Sequence, residues 1–221
     1  MELFKAIDAG GLTHSRQVMV DRHLKSREIN DPAVLLAMGS VPREKFISAD
    51  LAGSAYDDNP LAIGYGQTIS QPYIVALMIQ KLNLKNTDRA LEIGTGSGYQ
   101  AAVLSKLAHH VYTTEIIDQL ANESSERLER LGYKNVTVIH TDGSLGLERS
   151  APFDKIIASA AARKPPKALE NQLAEGGLII MPQGGSHFQS LILGEKTGGV
   201  IDYKTMISVR FVPMTGAAEE L

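Results

Sequence analysis

The chain has 221 residues, 43% of them hydrophobic and 21% charged, an ordinary globular composition long enough to bury one sizeable core. A net charge of −3 argues against a protein that grips a nucleic-acid backbone through counterion release, and the absence of cysteine removes disulfides, thiolate metal sites and any cysteine nucleophile. The polar start, Met1-Glu2-Leu3-Phe4-Lys5, is unlike a secretory leader, and no apolar run approaches the roughly 20 residues that span a bilayer. A cytoplasmic protein with no membrane or nucleic-acid partner is expected.

Two regions read differently. In residues 1–87, Val18, Val20, Leu24, Ile29, Val34, Leu35 and Met38 recur at helical spacing with one buried face. Asp31-Pro32 marks a helix start, because aspartate caps and proline fits the first turn; Val41-Pro42 closes that helix. A loop rich in Gly, Pro, Asp and Asn is expected from Ala52 to Gly66, followed by a helix near Pro72–Leu82. In residues 88–221, apolar strands are expected at Ala90–Ile93, His110–Thr114, Val136–His140, Lys155–Ala158 and Leu178–Met181. They alternate with helices at Tyr99–Leu107, Asp118–Leu131 and Pro166–Leu173. Strand–helix alternation implies an α/β, Rossmann-like, doubly wound and mostly parallel sheet, here with an N-terminal helical region. Ser190–Leu193 and Met206–Val212 are expected to add antiparallel strands at the edge. Together the two regions are expected to form one functional domain.

The first strand ends in Gly94-Thr95-Gly96-Ser97-Gly98 and runs directly into a helix. Glycines there allow a sharp turn and close approach to a ligand, at the end of the sheet where open α/β folds bind their ligands. The spacing is G-x-G-x-G rather than the G-x-G-x-x-G of dinucleotide sites, with Tyr99 where the last glycine should fall. Glu92, two residues before the turn, would repel a pyrophosphate but attract the ammonium of a methionyl group. The pattern therefore favours S-adenosylmethionine, with S-adenosylhomocysteine as product, over NAD. Glu115 ends the second strand, where a carboxylate can accept the ribose hydroxyls. Asp142-Gly143 ends the third and is expected to meet the adenine edge.

Several acceptors are excluded. Methylation of cytosine carbon 5 needs a cysteine nucleophile. Adenine amino methylation usually involves an Asn/Asp-Pro-Pro-aromatic turn, and Ser159-Ala160-Ala161-Ala162 stands in its place. His109, His110 and His140 lack ligand-spaced partners, so no metal is expected. Arg163-Lys164 reads as a solvated loop and Met19, Met38 and Met78 as core filling.

Upstream, Ile63-Gly64-Tyr65-Gly66-Gln67-Thr68-Ile69-Ser70-Gln71-Pro72 resembles the signature of the protein-L-isoaspartate (D-aspartate) O-methyltransferases. The resemblance extends through Val41–Phe46, Tyr56–Asn59, Leu91–Gln100, Pro152-Phe153-Asp154, the Glu175-Gly176-Gly177 turn and Arg210–Pro213. It covers roughly residues 15–215. Ala62 stands where proline is common, and Thr141 where glycine usually precedes Asp-Gly. The resemblance implies methyl transfer to the α-carboxylate of L-isoaspartyl, and in some members D-aspartyl, residues of damaged proteins or peptides. The ester then collapses to a succinimide that can reopen to aspartate. It makes Ser70 the catalytic position, whose structural alternative is capping the helix at Pro72. It also places Gln67, Thr68, Ile69 and Ser70 beside the methionine end of the cofactor, with Glu92, Gly94, Thr95, Gly96, Ser97, Glu115, Asp142 and Gly143 along the rest. Thr215 is expected to close over the site, and the 60–72 loop and the Ala158–Ala162 turn to grip an extended peptide. A monomer is expected, with an oligomer left open. Two rival readings remain at this stage: a small-molecule carboxyl or hydroxyl methyltransferase on the same fold, and a cofactor-binding protein without turnover.

Overall fold

The structure, a computed structural model, describes residues 9–220. Its centre is a seven-stranded sheet in the order β5-β4-β3-β6-β7-β8-β9. The strands are β3 (Arg89–Ile93), β4 (His110–Glu115), β5 (Val136–His140), β6 (Phe153–Ala158), β7 (Leu173–Gly184), β8 (Gln189–Thr197) and β9 (Val200–Ser208). The first five pair in parallel, whereas β8 and β9 return as an antiparallel meander on the β7 edge. Strand order reverses between β3 and β6, which makes the carboxyl end of β3 the switch point at which such sheets bind ligands.

Alternation along β3 assigns its residues to two cores. Leu91 and Ile93 belong to the cluster with Phe153, Ile156 and Leu169, the last from α6 (Lys167–Gln172). Ala90 faces the other way, toward α3 (Pro72–Leu82) and α4 (Tyr99–Leu104). The N-terminal helices α1 (Ala9–Val18) and α2 (Pro32–Ser40) pack into that same core, which includes Met19, Met38 and Met78, all fully buried. The helix α5 (Asp118–Arg130) joins it through Leu128. Asp31 caps α2 by accepting the Ala33 N–H at 2.8 Å, as its sequence suggests. Between α1 and α2, Met19–Lys25 widens into a π-helical turn.

Three expected boundaries move. The Ala52–Gly66 loop holds a strand, β1 (Leu61–Gly64), paired antiparallel with β2 (Gln67–Ile69). Tyr65 and Gly66 both have positive φ (52° and 72°), the backbone of a two-residue type I′ hairpin turn. Next, β7 begins five residues before the expected Leu178. A bulge at Glu175-Gly176-Gly177, with Gly176 at φ 73°, absorbs the register shift against β6 and hides the continuity of the strand. Finally, β9 starts at Val200 and ends at Ser208, so Val209–Val212 leave the sheet instead of completing it.

Candidate active site

The glycine turn follows from backbone geometry. Gly94, Gly96 and Gly98 take φ of 88°, 53° and 87°, a region costly for residues with a Cβ. Space is also limited: a Cβ at Gly96 would lie 3.2 Å from Ile63 Cδ1 of β1, and one at Gly98 3.1 Å from Leu128 Cδ1. The Gly94 and Thr95 N–H groups both donate to Thr114 O, at 2.9 and 3.0 Å, tying the turn to the end of β4.

Glu92 lies behind this turn, fully buried and paired in register with Thr113. The Thr113 hydroxyl donates to Glu92 Oε2 at 2.6 Å, and Thr95 Oγ1 lies 2.7 Å from Thr113 Oγ1. Among the described residues Glu92 Oε1 has no hydrogen-bond partner. Burial pushes the carboxyl up to about 8; the hydrogen bond from Thr113 and the neighbouring Gln100 side chain pull the other way, and the nearby Glu115 adds a further rise. A buried acid with an unmatched oxygen suits a cationic ligand on the far side of the turn.

Glu115 is fixed by main chain. Its Oε2 accepts the Gly96 N–H at 2.8 Å, and Oε1 accepts those of Ile116 and Ile117 at 2.9 and 3.0 Å. A carboxylate offers about four lone-pair sites, so one remains for a ligand hydroxyl. Asp142 accepts from Ser144 N and Oγ and, through Oδ2, from Ala217 N at 2.8 Å. Partial burial would raise its pKa, but these three hydrogen bonds outweigh it and hold the carboxyl below the ordinary value. Asp142 thus fastens the C-terminal turn, Gly216–Glu220, over the end of β5.

Two clefts meet here. The smaller, about 90 Å³, is lined by Gln67, Thr68, Gly94, Gly96, Glu115 and Gly143 among the expected cofactor residues. The larger, about 470 Å³, contains Ser70, Gln71, Arg210 and Phe211. Thr68, Ser159 and Val212 line both, so the clefts form two lobes of one site. Ser70 makes no hydrogen bond among the described residues, and α3 begins after Gln71 with no side-chain cap. The capping alternative for Ser70 is therefore not realised.

Other expected residues lie outside the cleft walls. Ile69 is buried in the core, and Glu92, Thr95, Ser97 and Asp142 sit behind the lining residues. Thr95 and Ser97 face inward because the turn directs its main chain, not those side chains, toward the cleft. Ile116, Ile117, Ser144, Pro213 and Met214 also line the smaller lobe without having been expected there, while Thr215 lines it as expected. Ile116 follows Glu115 and stays 39% exposed, an apolar surface at a strand end that could have flagged it. Among the described residues no group of three His, Asp or Glu side chains could hold a metal ion, and no helix is long and apolar enough to cross a membrane.

Comparison with known proteins agrees with this architecture. The family profile of protein-L-isoaspartate(D-aspartate) O-methyltransferase (PCMT) matches residues 14–219. The chain is 48% identical over 206 residues to protein-L-isoaspartate O-methyltransferase 2 of Pelobacter propionicus, covering 92% of each chain. It is 50% identical over 204 residues to the protein-L-isoaspartate O-methyltransferase of Opitutus terrae, covering 92% of this chain and 88% of that one. A solved protein-L-isoaspartate O-methyltransferase superposes with a TM-score of 0.85 at 28% identity, over 92% of this chain and 67% of that one. Another, from Plasmodium falciparum in complex with S-adenosyl-L-homocysteine, superposes with a TM-score of 0.80 at 30% identity, over 90% and 98% of the two chains.

Proposed function

Because the chain belongs to the protein-L-isoaspartate(D-aspartate) O-methyltransferase family, we propose that its two lobes divide one reaction between them, cofactor in the smaller and damaged aspartyl residue in the larger. The enzyme transfers a methyl group from S-adenosylmethionine to the α-carboxylate of L-isoaspartyl residues in proteins, the step that starts their repair through a succinimide. When bound, S-adenosylmethionine supplies a methyl group on a cationic sulfur that a carboxylate oxygen can displace.

The residue roles are our assignment. The Gly94–Ser97 main chain would hold the methionyl part, with Glu92 compensating its ammonium from behind, Gln67 and Thr68 closing the near side and Ile69 anchoring them from the core. Glu115 would take a ribose hydroxyl on its remaining lone pair, and Asp142-Gly143 would border the adenine. What supports the fit is the unmatched Oε1 of Glu92 and the close main-chain approach that the three glycines permit.

The acceptor carboxylate is already ionised at neutral pH, so no general base is required. Catalysis then rests on alignment and exclusion of water. The observation that carries the acceptor assignment is Ser70: a hydroxyl without a hydrogen-bond partner among the described residues, in the lobe that joins the smaller lobe at Thr68, Ser159 and Val212. It would hold the incoming carboxylate by donating a hydrogen bond. We further propose a monomeric, cytoplasmic enzyme acting without nucleic acid or membrane, formed as one functional domain from residues 1–87 and 88–221. The net charge of −3, the cysteine-free composition and the core shared by both regions support this.

The test is an isoaspartyl peptide assayed beside its aspartyl twin with S-adenosylmethionine. Methylation of the isoaspartyl peptide alone is expected. Equal methylation of both, or of neither, would overturn the assignment.

A further inference from the structure

Beyond the acceptor lobe the cleft continues. Arg210 and Phe211 form a ridge that lines the acceptor lobe on one side and a second cleft of about 410 Å³ on the other. Arg163 lines that second cleft and a third that ends at Phe188, which is 78% exposed. The ridge is a fixed structure. Gln189, 9% exposed, accepts the Phe211 N–H at 2.7 Å and donates to Phe211 O at 3.1 Å; Ala161 N–H donates to Val212 O at 2.8 Å.

The electrostatics of these clefts are one-sided. Arg210, Arg163 and His187 line them, and among the described residues no aspartate or glutamate does. Neither guanidinium makes a hydrogen bond or ion pair among the described residues. In a chain of net charge −3, two arginines without partners among the described residues along one continuous channel are a local concentration of positive charge. Arg163 and Lys164 are both exposed, as the solvated-loop expectation has it, and Arg163 at the same time lines two of the clefts.

We propose that this channel is a peptide-binding groove that selects isoaspartyl sites flanked on one side by acidic residues, with Arg210 and Arg163 as specificity-determining residues. The proposal rests on the acceptor assignment above, since the groove begins at the Ser70 lobe. An extended peptide leaving that lobe would cross the ridge and place side chains beside both guanidinium groups in turn. Glutamate or aspartate there gains attraction, and lysine meets repulsion.

The experiment uses three isoaspartyl peptides of equal length with Glu, Gln or Lys at the two positions following the isoaspartyl residue, and a matching set with those residues preceding it. On one of the two sides, kcat/KM should rank Glu above Gln above Lys, by about five- to ten-fold from first to last, carried mainly in KM. At 1 M salt, where the screening length falls to about 3 Å, the ranking should flatten. In Arg163→Glu the Glu and Lys peptides should approach each other or change places. Methylation of all peptides with no charge ranking, or a ranking unchanged in Arg163→Glu, would overturn the groove while leaving the reaction intact. Methylation of none would overturn both.

Discussion

Glu92 offers a test that needs no cofactor. Its carboxyl is raised from 4.5 to about 8 by complete burial, so between those values the folded protein keeps a proton that the unfolded chain has released. A raised acid stabilises the fold fully below its unfolded pKa, and that contribution is lost as pH climbs from about 4.5 to about 8. The difference of 3.5 units, at 1.36 kcal/mol each, amounts to about 5 kcal/mol above pH 8 and about 3 kcal/mol at pH 7. Glu92→Gln keeps an acceptor for the Thr113 hydroxyl and places an amide where Oε1 is unmatched, with no titration. The variant should therefore match the parent near pH 4.5, pull ahead as pH rises and hold a constant lead above pH 8. For a chain of this length, 3 kcal/mol corresponds to roughly 6–12 °C in Tm.

The assay is thermal or urea unfolding of ligand-free parent and variant from pH 4.5 to 9, taken as a difference so that all other titrating groups cancel. Parallel curves would refute the reasoning, because they would mean that Glu92 ionises as easily folded as unfolded. The same logic links cofactor binding to protons. A cation bound near the turn favours the ionised form, so titration of the parent near pH 7 in two buffers of different ionisation enthalpy should show about one proton released. Glu92→Gln should release none and bind more weakly.

Three further outcomes are expected. Glu115→Ala removes the acceptor of three main-chain N–H groups at the cofactor lobe, so affinity for S-adenosylhomocysteine by calorimetry should fall by about 1–3 kcal/mol; unchanged affinity would count against the ribose assignment. Ser70→Ala should lower kcat more than cofactor affinity and leave Tm almost unmoved, since that hydroxyl makes no bond in the described structure; full activity would remove it from the mechanism. Asp142→Ala should speed amide exchange at Ala217 and raise the KM for S-adenosylmethionine. The depressed carboxyl of Asp142 contributes stability above its ordinary pKa that is lost as pH falls through its lower folded value, so the difference between parent and Asp142→Ala should shrink in acid; a pH-independent difference would contradict it.

The parallel half of the fold was legible because its strands carry continuous apolar runs and its helices a clear period. Leu91, Val111 and Ile156 are fully buried strand residues of that kind. What escaped lacks such a signal. In β9 exposed and half-buried residues alternate at a sheet edge, and polar residues such as Asp202 and Lys204 mask the strand. Tyr65 supplies a positive φ where turn statistics favour Asn or Gly, and its hydroxyl donates to Glu123 of α5 at 3.0 Å, a tertiary contact no local pattern reveals. Arg43 is the extreme case. Its guanidinium is fully buried over the Tyr99 ring, with Nε donating to Ala55 O at 2.8 Å and both terminal nitrogens unmatched. Sequence reasoning places an arginine at the surface.

For the candidate site, the segments singled out in the sequence do come together at one cleft, but not all of their side chains line it. In a tight glycine turn the main chain lines the cleft, so Thr95 and Ser97 turn inward and Glu92 lies buried behind the turn. The two motifs are also less separable in space than in sequence. Ile63, from the hairpin that ends in Ser70, lies so close to Gly96 that a single added Cβ would press on it at 3.2 Å. Tyr65 at the hairpin tip reaches α5, whose Arg127 donates to Ser97 O at 2.9 Å. The hairpin that leads to Ser70 is thus packed directly on the glycine turn. On the proposed division of the two lobes, a change in glycine-turn geometry presses on the hairpin that leads to Ser70 and so reaches both halves of the reaction.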